Sequence, residues 1–335
     1  MSSAPTPEEI ARDARWLAQA LDPTAGMARL VAMDRAAYRS AAFLDDRLLQ
    51  SPVDAQIIPW QQVEEAMAGE LRRDARWIFH IGHVGSTLVS RLLGELDGVL
   101  AVREPRLLRD LALSPAQVRE PYIAPVPRLM SRTFAPADVA CVKATSFASE
   151  IAPQLVPPGE RALFMYATPR NYIGSILAGE NSLQELRMLA GARAQRANAR
   201  AVYIPAQSDA DHAAAAWAAE MTALEMATEA MADRRVAWAD FDAMLRAMDS
   251  ELARVAAFFG FTADAERVRA LAGGPLMGRY SKALEHEYSA GLRQQLIAES
   301  QERFAREMDG ALAMLRAAAE KSPLLARALA RAGEA

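Results

Sequence analysis

A short glycine-rich turn, followed at once by two hydroxyl residues, is the part of this chain best suited to chemistry. The turn and the residues after it are Gly82, His83, Val84, Gly85, Ser86 and Thr87. Glycines let the backbone N–H groups of such a turn converge on one point, and hydroxyls at the positive end of a following helix add further donors. We therefore predict that this turn binds a phosphate or sulfate group.

The residue after the second glycine narrows the kind of phosphate loop. Proteins that hydrolyse ATP or GTP carry a lysine directly after that glycine. In this chain Gly85 is followed by Ser86. The sequence therefore indicates a loop that binds phosphate without being of the NTPase kind.

Two charged residues stand at the ends of apolar runs further along the chain. Glu104 follows the run Val99–Val102, and Lys143 ends the run Val139–Lys143. If both runs are parallel strands, their carboxyl ends meet at one crevice, where ligands bind. Lys143 is then a candidate contact for sulfate or phosphate, and a lysine that emerges into solvent fits the pattern equally well. His80 lies inside the run before the turn and lacks metal-ligand spacing to the other histidines.

These residues require a scaffold of alternating strands and helices. From Arg76 onward, helical patterns alternate with five short apolar runs, which are Trp77–Ile81, Val99–Val102, Val139–Lys143, Ala162–Ala167 and Val236–Ala239. This alternation is typical of parallel strands joined by crossover helices. We predict an α/β fold, a three-layer domain with a central parallel sheet.

The flanking segments are predicted to be helical. Residues 1–75 are expected to form a helical N-terminal extension, because the run Thr6–Glu9 offers an N-cap, a proline and a capping-box glutamate. The α/β domain is predicted over 76–290, and C-terminal helices packed on the same domain over 291–335. The N-terminal helices fit either of two roles, part of an acceptor pocket or a homodimer contact.

Composition excludes several classes of protein. Of the 335 residues, 52% are apolar, which suffices for a full core, and the formal charge of −4 argues against a nucleic-acid partner. No apolar stretch reaches the length of a membrane helix, and the first residues are acidic where a signal peptide is basic. We expect a cytoplasmic protein with neither a membrane nor a nucleic acid as partner.

The turn resembles the 5′-phosphosulfate loop of the sulfotransferases that use 3′-phosphoadenosine 5′-phosphosulfate (PAPS). In that superfamily a short strand is followed by G-x-x-G-S-T-L and a Leu-rich helix, as after Trp77 here. The resemblance covers roughly residues 76 to 285, and its spacing is nearest to the tyrosylprotein and bacterial branch. It implies a P-loop-like fold, PAPS as co-substrate, no metal, and transfer to a hydroxyl of a small-molecule, peptide or glycan acceptor.

The same resemblance implies catalytic roles. In the tyrosylprotein branch, a glutamate at the offset that separates Glu104 from Gly85 acts as general base, so Glu104 is our candidate base. His83 stands where the family carries Lys or Arg, and an imidazolium there would support the departing phosphate. Lys143 completes the candidate catalytic set.

Further positions are implied for holding the 3′-phosphate. The run Phe164–Leu177 resembles the family's segment for that group and places Ser175 on the family serine. It also places Ala167 where the family has arginine, a loss that Arg170 could compensate. Residues expected to close over the nucleotide lie in a later glycine-hinged cluster, and they are Arg279, Ser281 and Lys282.

Two alternatives to a sulfotransferase stay open. A catalytically silent nucleotide-binding protein of the same fold would also show the changes at His83 and Ala167. A P-loop kinase would need a lysine near the phosphates and an acidic residue for magnesium, for which Lys143 and Asp240 are the nominees.

The acceptor is not identified by sequence. Residues 181–203 carry four arginines, which are Arg187, Arg193, Arg196 and Arg200. The segment fits a flap for an acidic acceptor or a solvated helix.

Overall fold

The computed structural model describes residues 4–278 and 290–334. The strands are β1 (Trp16–Asp22), β2 (Met27–Ala32), β3 (Ala55–Pro59), β4 (Arg76–His80), β5 (Val99–Arg103), β6 (Val139–Lys143), β7 (Arg161–Tyr166) and β8 (Arg235–Asp240). The helices up to the fourth strand are α1 (Pro7–Arg12), α2 (Arg35–Ser40) and α3 (Trp60–Ala66). Those between the fourth and eighth strands are α4 (Ser86–Leu93), α5 (Arg106–Leu113), α6 (Ala116–Ile123), α7 (Val126–Ser131), α8 (Ala152–Leu155), α9 (Pro169–Leu177), α10 (Glu180–Ala199) and α11 (Asp209–Ala230). The remaining helices are α12 (Phe241–Arg246), α13 (Met248–Phe259), α14 (Ala265–Ala272), α15 (Ala290–Arg303), α16 (Ala305–Ala319) and α17 (Pro323–Arg331), and short 3₁₀ turns cover Asp46–Gln50, Ser146–Ile151 and Pro275–Gly278.

A five-stranded parallel sheet forms the centre of the fold, in the order β5-β6-β4-β7-β8. All five strands predicted from the apolar runs are present, and the α/β fold with a central parallel sheet is confirmed. β4 pairs with β6 on one side and with β7 on the other. The strand order reverses at β4, and the glycine turn follows this strand, so the turn lies at the position where α/β sheets bind ligands.

The prediction that residues 1–75 are helical is wrong over much of that range. The helix α1 is present with its full capping box. An antiparallel sheet of order β1-β2-β3 follows it. Six of the seven residues of β1 are buried, so its apolar run carries no alternation, and a short run of that kind cannot be distinguished from a buried helix by spacing.

The two sheets share one core, because buried side chains of both belong to a single contiguous cluster. Arg132, just after α7, donates hydrogen bonds to the carbonyls of Ile10 on α1 and Trp16 on β1. The C-terminal part after residue 290 is helical, as predicted. Over the described ranges, the helices are all too short or too polar to cross a membrane.

The glycine turn owes its shape to left-handed backbone and to one close packing contact. Gly82, His83 and Gly85 have φ angles of 81°, 54° and 59°. The ring of Phe241, the first residue of α12, packs directly against Gly85 and fills the space that a side chain there would need. The turn therefore depends on a helix more than 150 residues further along the chain.

Replacing Gly85 by alanine tests this contact. A Cβ at this position would lie 1.8 Å from Phe241 Cζ, and the residue would keep an unfavourable φ of 59°. We expect Gly85→Ala to lower the free energy of unfolding by about 2–4 kcal/mol in urea titrations. Gly82→Ala is the matched control, because φ is also positive there but nothing lies within 4 Å, and it should cost about 1–2 kcal/mol. Equal losses for the two variants would contradict the role of Phe241.

Candidate active site

A cavity of about 420 Å³ opens at the carboxyl ends of the central strands. The predicted site residues that line it are Gly82, His83, Val84, Gly85, Ser86, Thr87, Glu104, Lys143 and Ser175. Its other walls come from the segment after α2, through Phe43 and Arg47, and from α10, through Glu185 and Met188. The tertiary structure thus brings together most of the residues that the sequence singled out.

The start of α4 offers the cavity an anion-binding surface. Gly85 is the N-cap, and its lack of a side chain leaves the first turn without a side-chain cap. Ser86 and Thr87 are buried, with 4% and 8% of their surfaces exposed. The first N–H groups of a helix have no intrahelical partner and carry partial positive charge, so they can bind an anion.

Glu104 and Lys143 form a buried ion pair in the cavity wall. The Lys143 ammonium donates to the Glu104 carboxylate, and their side chains are 1% and 16% exposed. Glu104 has a left-handed φ of 52°, and its N–H donates to the Lys143 carbonyl at 2.7 Å. Backbone strain of this kind persists where the surroundings hold it, often at functional sites.

The charge state of Glu104 follows from two opposing effects. Burial alone raises the pKa of a carboxyl group, but the Lys143 ammonium and the hydrogen bond from His80 outweigh it. Together they hold the pKa of Glu104 well below its usual range. Glu104 is therefore ionised and able to accept a proton, and Lys143 reduces its basicity.

His80 is a residue whose role sequence reasoning missed. Its Nδ1 accepts the Gly82 N–H at 3.0 Å, and its Nε2 lies 2.9 Å from the Ala144 carbonyl oxygen. The same Nε2 lies 3.5 Å from Glu104 Oε1. Burial, with the nearby Lys143 charge, lowers the pKa of His80. Its place on an apolar strand gave no signal of these contacts.

His83 lies at the cavity wall, where the sequence predicted it. Its Nε2 is 3.7 Å from Glu185 Oε2, and its ring meets Tyr172 edge-on at 6.4 Å. The imidazole is thus held between α9 and α10 beside the turn.

The residues predicted to hold a 3′-phosphate do not lie together in the structure. Ser175 lines the cavity and donates to the Tyr172 carbonyl at 2.8 Å. Arg170 is not among the lining residues and donates instead to Asp309 on α16 at 2.7 Å. Ala167 is buried in the core. The remaining candidates, Arg279, Ser281 and Lys282, lie outside the described residues.

Arg293, on α15, is a second residue that the sequence did not reveal. It lines the cavity, its Nε donates to Asp242 at 3.2 Å, and its guanidinium lies 5.2 Å from the centre of the Phe241 ring. Its Nη2 is buried and has no hydrogen-bond partner among the described residues. A guanidinium that is fixed in this way and still has donors to satisfy is suited to an anion. Its distance from the turn along the chain left no local signal.

The arginines of α10, and Arg200 directly after it, do not form a basic acceptor surface. Each is paired with an acidic residue, in the combinations Arg187–Asp209, Arg193–Glu220, Arg196–Glu150 and Arg200–Glu150. The cavity-facing residues of this helix are Ser182, Glu185, Met188 and Leu189. The expectation of a basic flap for an acidic acceptor therefore loses its basis.

Asp240, the nominee for a magnesium ligand, has a structural role. Its carboxylate accepts the Asp242 N–H at 3.0 Å as the N-cap of α12. It is absent from the described residues that line the cavity.

Comparisons with known proteins yield similarity of fold at low identity. No protein-family model and no curated protein sequence matches the chain. The sulfotransferase domain from the curacin biosynthetic pathway is similar over 70% of this chain and 99% of its own, with 11% identity and a TM-score of 0.45. Mouse sulfotransferase SULT7A1 complexed with PAP is similar over 78% of this chain and 90% of its own, with 9% identity and a TM-score of 0.41. Similarity at these values carries no information on the chemistry of this chain.

A double-mutant cycle tests the ion pair. Glu104→Gln leaves the buried Lys143 ammonium without its carboxylate, and Lys143→Met leaves the carboxylate without its ammonium. Each should lower the free energy of unfolding by about 3–5 kcal/mol, because each strands a buried charge. The double variant should lose less than the sum of the two, as measured by urea unfolding at pH 7. Additive losses would show that the two side chains do not interact.

The ion pair of Glu104 and Lys143 also predicts how the stability of the fold changes with pH. Since the pKa of Glu104 is lower in the folded chain than its ordinary value of 4.5, the unfolded chain binds the proton first as pH falls. The stabilisation from Glu104 is therefore complete above pH 4.5 and declines below it. The variant Glu104→Gln should lack this part of the loss of stability at acid pH.

Proposed function

We propose that this chain is a PAPS-dependent sulfotransferase that moves a sulfuryl group from PAPS to a hydroxyl of an acceptor. The observation that carries the proposal is the arrangement of one cavity. The uncapped start of α4 lies in its wall together with the ionised Glu104 and the buried Lys143. An anion-binding surface beside a proton acceptor and a cation is what sulfuryl transfer to a hydroxyl requires.

The donor would be held by its anionic groups. The amides at the start of α4, with the Ser86 and Thr87 hydroxyls, are suited to the 5′-phosphosulfate. Arg293 offers donors for a second anionic group, because its Nη2 has no protein partner in the described ranges. Ser175 lines the same cavity. These residues fit a nucleotide that carries two separated anionic groups.

The proposed reaction is a single in-line displacement. The acceptor oxygen forms a bond to sulfur while the bond from sulfur to the bridging phosphate oxygen breaks, and its electron pair stays on the phosphate. The hydroxyl proton passes to Glu104, which leaves a sulfate ester and adenosine 3′,5′-bisphosphate. The α4 amides, the Lys143 ammonium and a protonated His83 would stabilise the charge on the departing phosphate.

The contact between Glu104 and Lys143 has a consequence for the base. In the pair, Lys143 lowers the basicity of Glu104. An anionic donor in the cavity would compete for the ammonium and add negative charge nearby, and both effects raise the proton affinity of a carboxylate. We infer that Glu104 becomes an effective base once the donor is bound.

The acceptor would enter between the segment after α2 and α10. Apolar surface is available there from Phe43, Phe147, Met188 and Leu189. The acceptor is proposed as a hydroxyl-bearing small molecule, peptide or glycan. The tyrosylprotein and bacterial branch, the homodimer and the cytoplasmic location stay predictions.

Nucleotide titration calorimetry tests the donor. Adenosine 3′,5′-bisphosphate should bind more tightly than AMP and more tightly than ATP with magnesium. Ser86→Ala should lower the affinity for the bisphosphate about tenfold or more, because it removes a hydrogen bond to a charged group. Preference for magnesium-ATP would support the kinase, and binding without transfer to any hydroxyl acceptor would support the silent binding protein. No nucleotide binding would refute all three.

Arg293→Ala tests the second anion position. The loss of a charge-assisted contact should lower the affinity for the bisphosphate about tenfold to a hundredfold and change the affinity for AMP less. Arg170→Ala is the matched control, because Arg170 is paired with Asp309 and does not line the cavity. It should leave the bisphosphate affinity within about twofold. A larger effect at Arg170 than at Arg293 would reverse the assignment.

A further inference from the structure

His80 occupies the point where three parts of the site meet. It is the last residue of β4, and it is 5% exposed. Its ring contacts Gly82 of the turn at 3.0 Å and Ala144, just after β6, at 2.9 Å. It also lies 3.5 Å from Glu104, just after β5. One side chain therefore contacts the residues that come just after the ends of three neighbouring strands.

The partners of the ring determine where its proton lies. The Gly82 N–H is a donor, so Nδ1 must be an unprotonated acceptor. The Ala144 carbonyl and the Glu104 carboxylate are acceptors, so Nε2 must carry the hydrogen. The contacts are therefore all satisfied by one form of the ring, the neutral imidazole with its hydrogen on Nε2.

We propose that His80, as the neutral Nε2–H tautomer, is a positioning residue that holds the anion-binding turn and the Glu104 carboxylate in one fixed arrangement. Its Nδ1 fixes the entry to the turn through Gly82, while its Nε2–H faces Glu104 and anchors the ring to Ala144. The binding test below rests on the proposed function, whereas the tautomer test does not.

Both groups that His80 holds have backbone conformations that need support. Gly82 begins a turn in which the next residue, His83, has φ 54°, a left-handed conformation that is unfavourable for a residue with a side chain. Glu104 has φ 52°. Non-glycine residues keep such angles where surrounding contacts hold them. A ring bound to both sides supplies such contacts at the turn and at the candidate base.

Protonation of the ring would remove one of these contacts. The charged groups facing it are Glu104 from the end of β5 and Lys143 from β6. A second proton would sit on Nδ1 and point at the Gly82 N–H, so two donors would face each other and the hydrogen bond would be lost. The arrangement therefore depends on a neutral ring.

Nitrogen NMR of the wild-type chain tests the tautomer directly. With ¹⁵N-labelled histidine, the long-range proton–nitrogen spectrum distinguishes the two neutral tautomers and the imidazolium. His80 is assigned by the signals that disappear in His80→Asn. We expect the neutral Nε2–H pattern at pH 7. The Nδ1–H pattern or an imidazolium at that pH would overturn the proposal, whatever the chain binds.

Two variants separate the two contacts. His80→Asn offers an amide oxygen near the Nδ1 position and keeps an acceptor for Gly82, but it loses the donor to Ala144 and Glu104. His80→Gln offers an amide N–H near the Nε2 position and loses the acceptor. We expect His80→Asn to bind adenosine 3′,5′-bisphosphate within about threefold of wild type, and His80→Gln to bind about tenfold more weakly.

The loss of stability at acid pH should distinguish the same two variants in the opposite way. Because His80 helps to lower the pKa of Glu104, the loss of its donor in His80→Asn should make the fall in stability below pH 4.5 shallower. Both variants also lose the fall in stability that begins near pH 6.5, because the buried His80 ring has a lowered pKa, so they are compared with each other: His80→Gln should keep a steeper fall below pH 4.5 than His80→Asn. His212→Gln, away from the cavity on α11, is the matched control and should change neither measurement. Equal effects of the two His80 variants on both measurements would overturn the proposal. If wild type binds no nucleotide, the proposed function fails. The tautomer and the loss of stability at acid pH still decide the role of His80.

Discussion

A buried ammonium–carboxylate pair between the ends of two parallel strands is the interaction on which the site depends. Lys143 is 1% exposed, and a buried ammonium without a counter-ion would be strongly destabilising. Glu104 supplies that counter-ion by turning inward with a left-handed backbone, and its own N–H donates to the Lys143 carbonyl. The direction of the candidate base is therefore determined by the need to neutralise a lysine on the neighbouring strand.

The glycine turn depends on parts of the chain that follow it at a distance. Gly85 has no side chain, and the Phe241 ring fills the space beside it. The Arg293 guanidinium lies 5.2 Å from the centre of the same ring and is fixed by Asp242. Through these contacts α12 and α15 support the turn and at the same time place a cation at the cavity wall. The residues that pack the turn thus also line the cavity.

The N-terminal segment is part of the cavity wall. Arg103, the last residue of β5, is 1% exposed and donates to the carbonyls of Tyr38 and Ala41 at the end of α2. The Leu44 N–H donates back to the Arg103 carbonyl at 2.8 Å. These bonds hold the following residues, Phe43 and Arg47 among them, beside Glu104. This side of the cavity is therefore built by a segment that lies outside the central sheet.

The sequence by itself determined the central strands, the glycine turn, and the placement of Glu104 and Lys143 at strand ends, because each has a local signal: an apolar run, a pair of glycines, or a charge where a strand ends. Only the tertiary structure decided the β1–β3 sheet, since its first strand, β1, is buried over six of its seven residues and has the same apolar run as a buried helix. It also decided that Arg170 turns to Asp309, that Arg293 enters the cavity, and that His80 binds both sides of the site. The direction of a side chain depends on neighbours brought together by folding, and a local sequence pattern does not contain them.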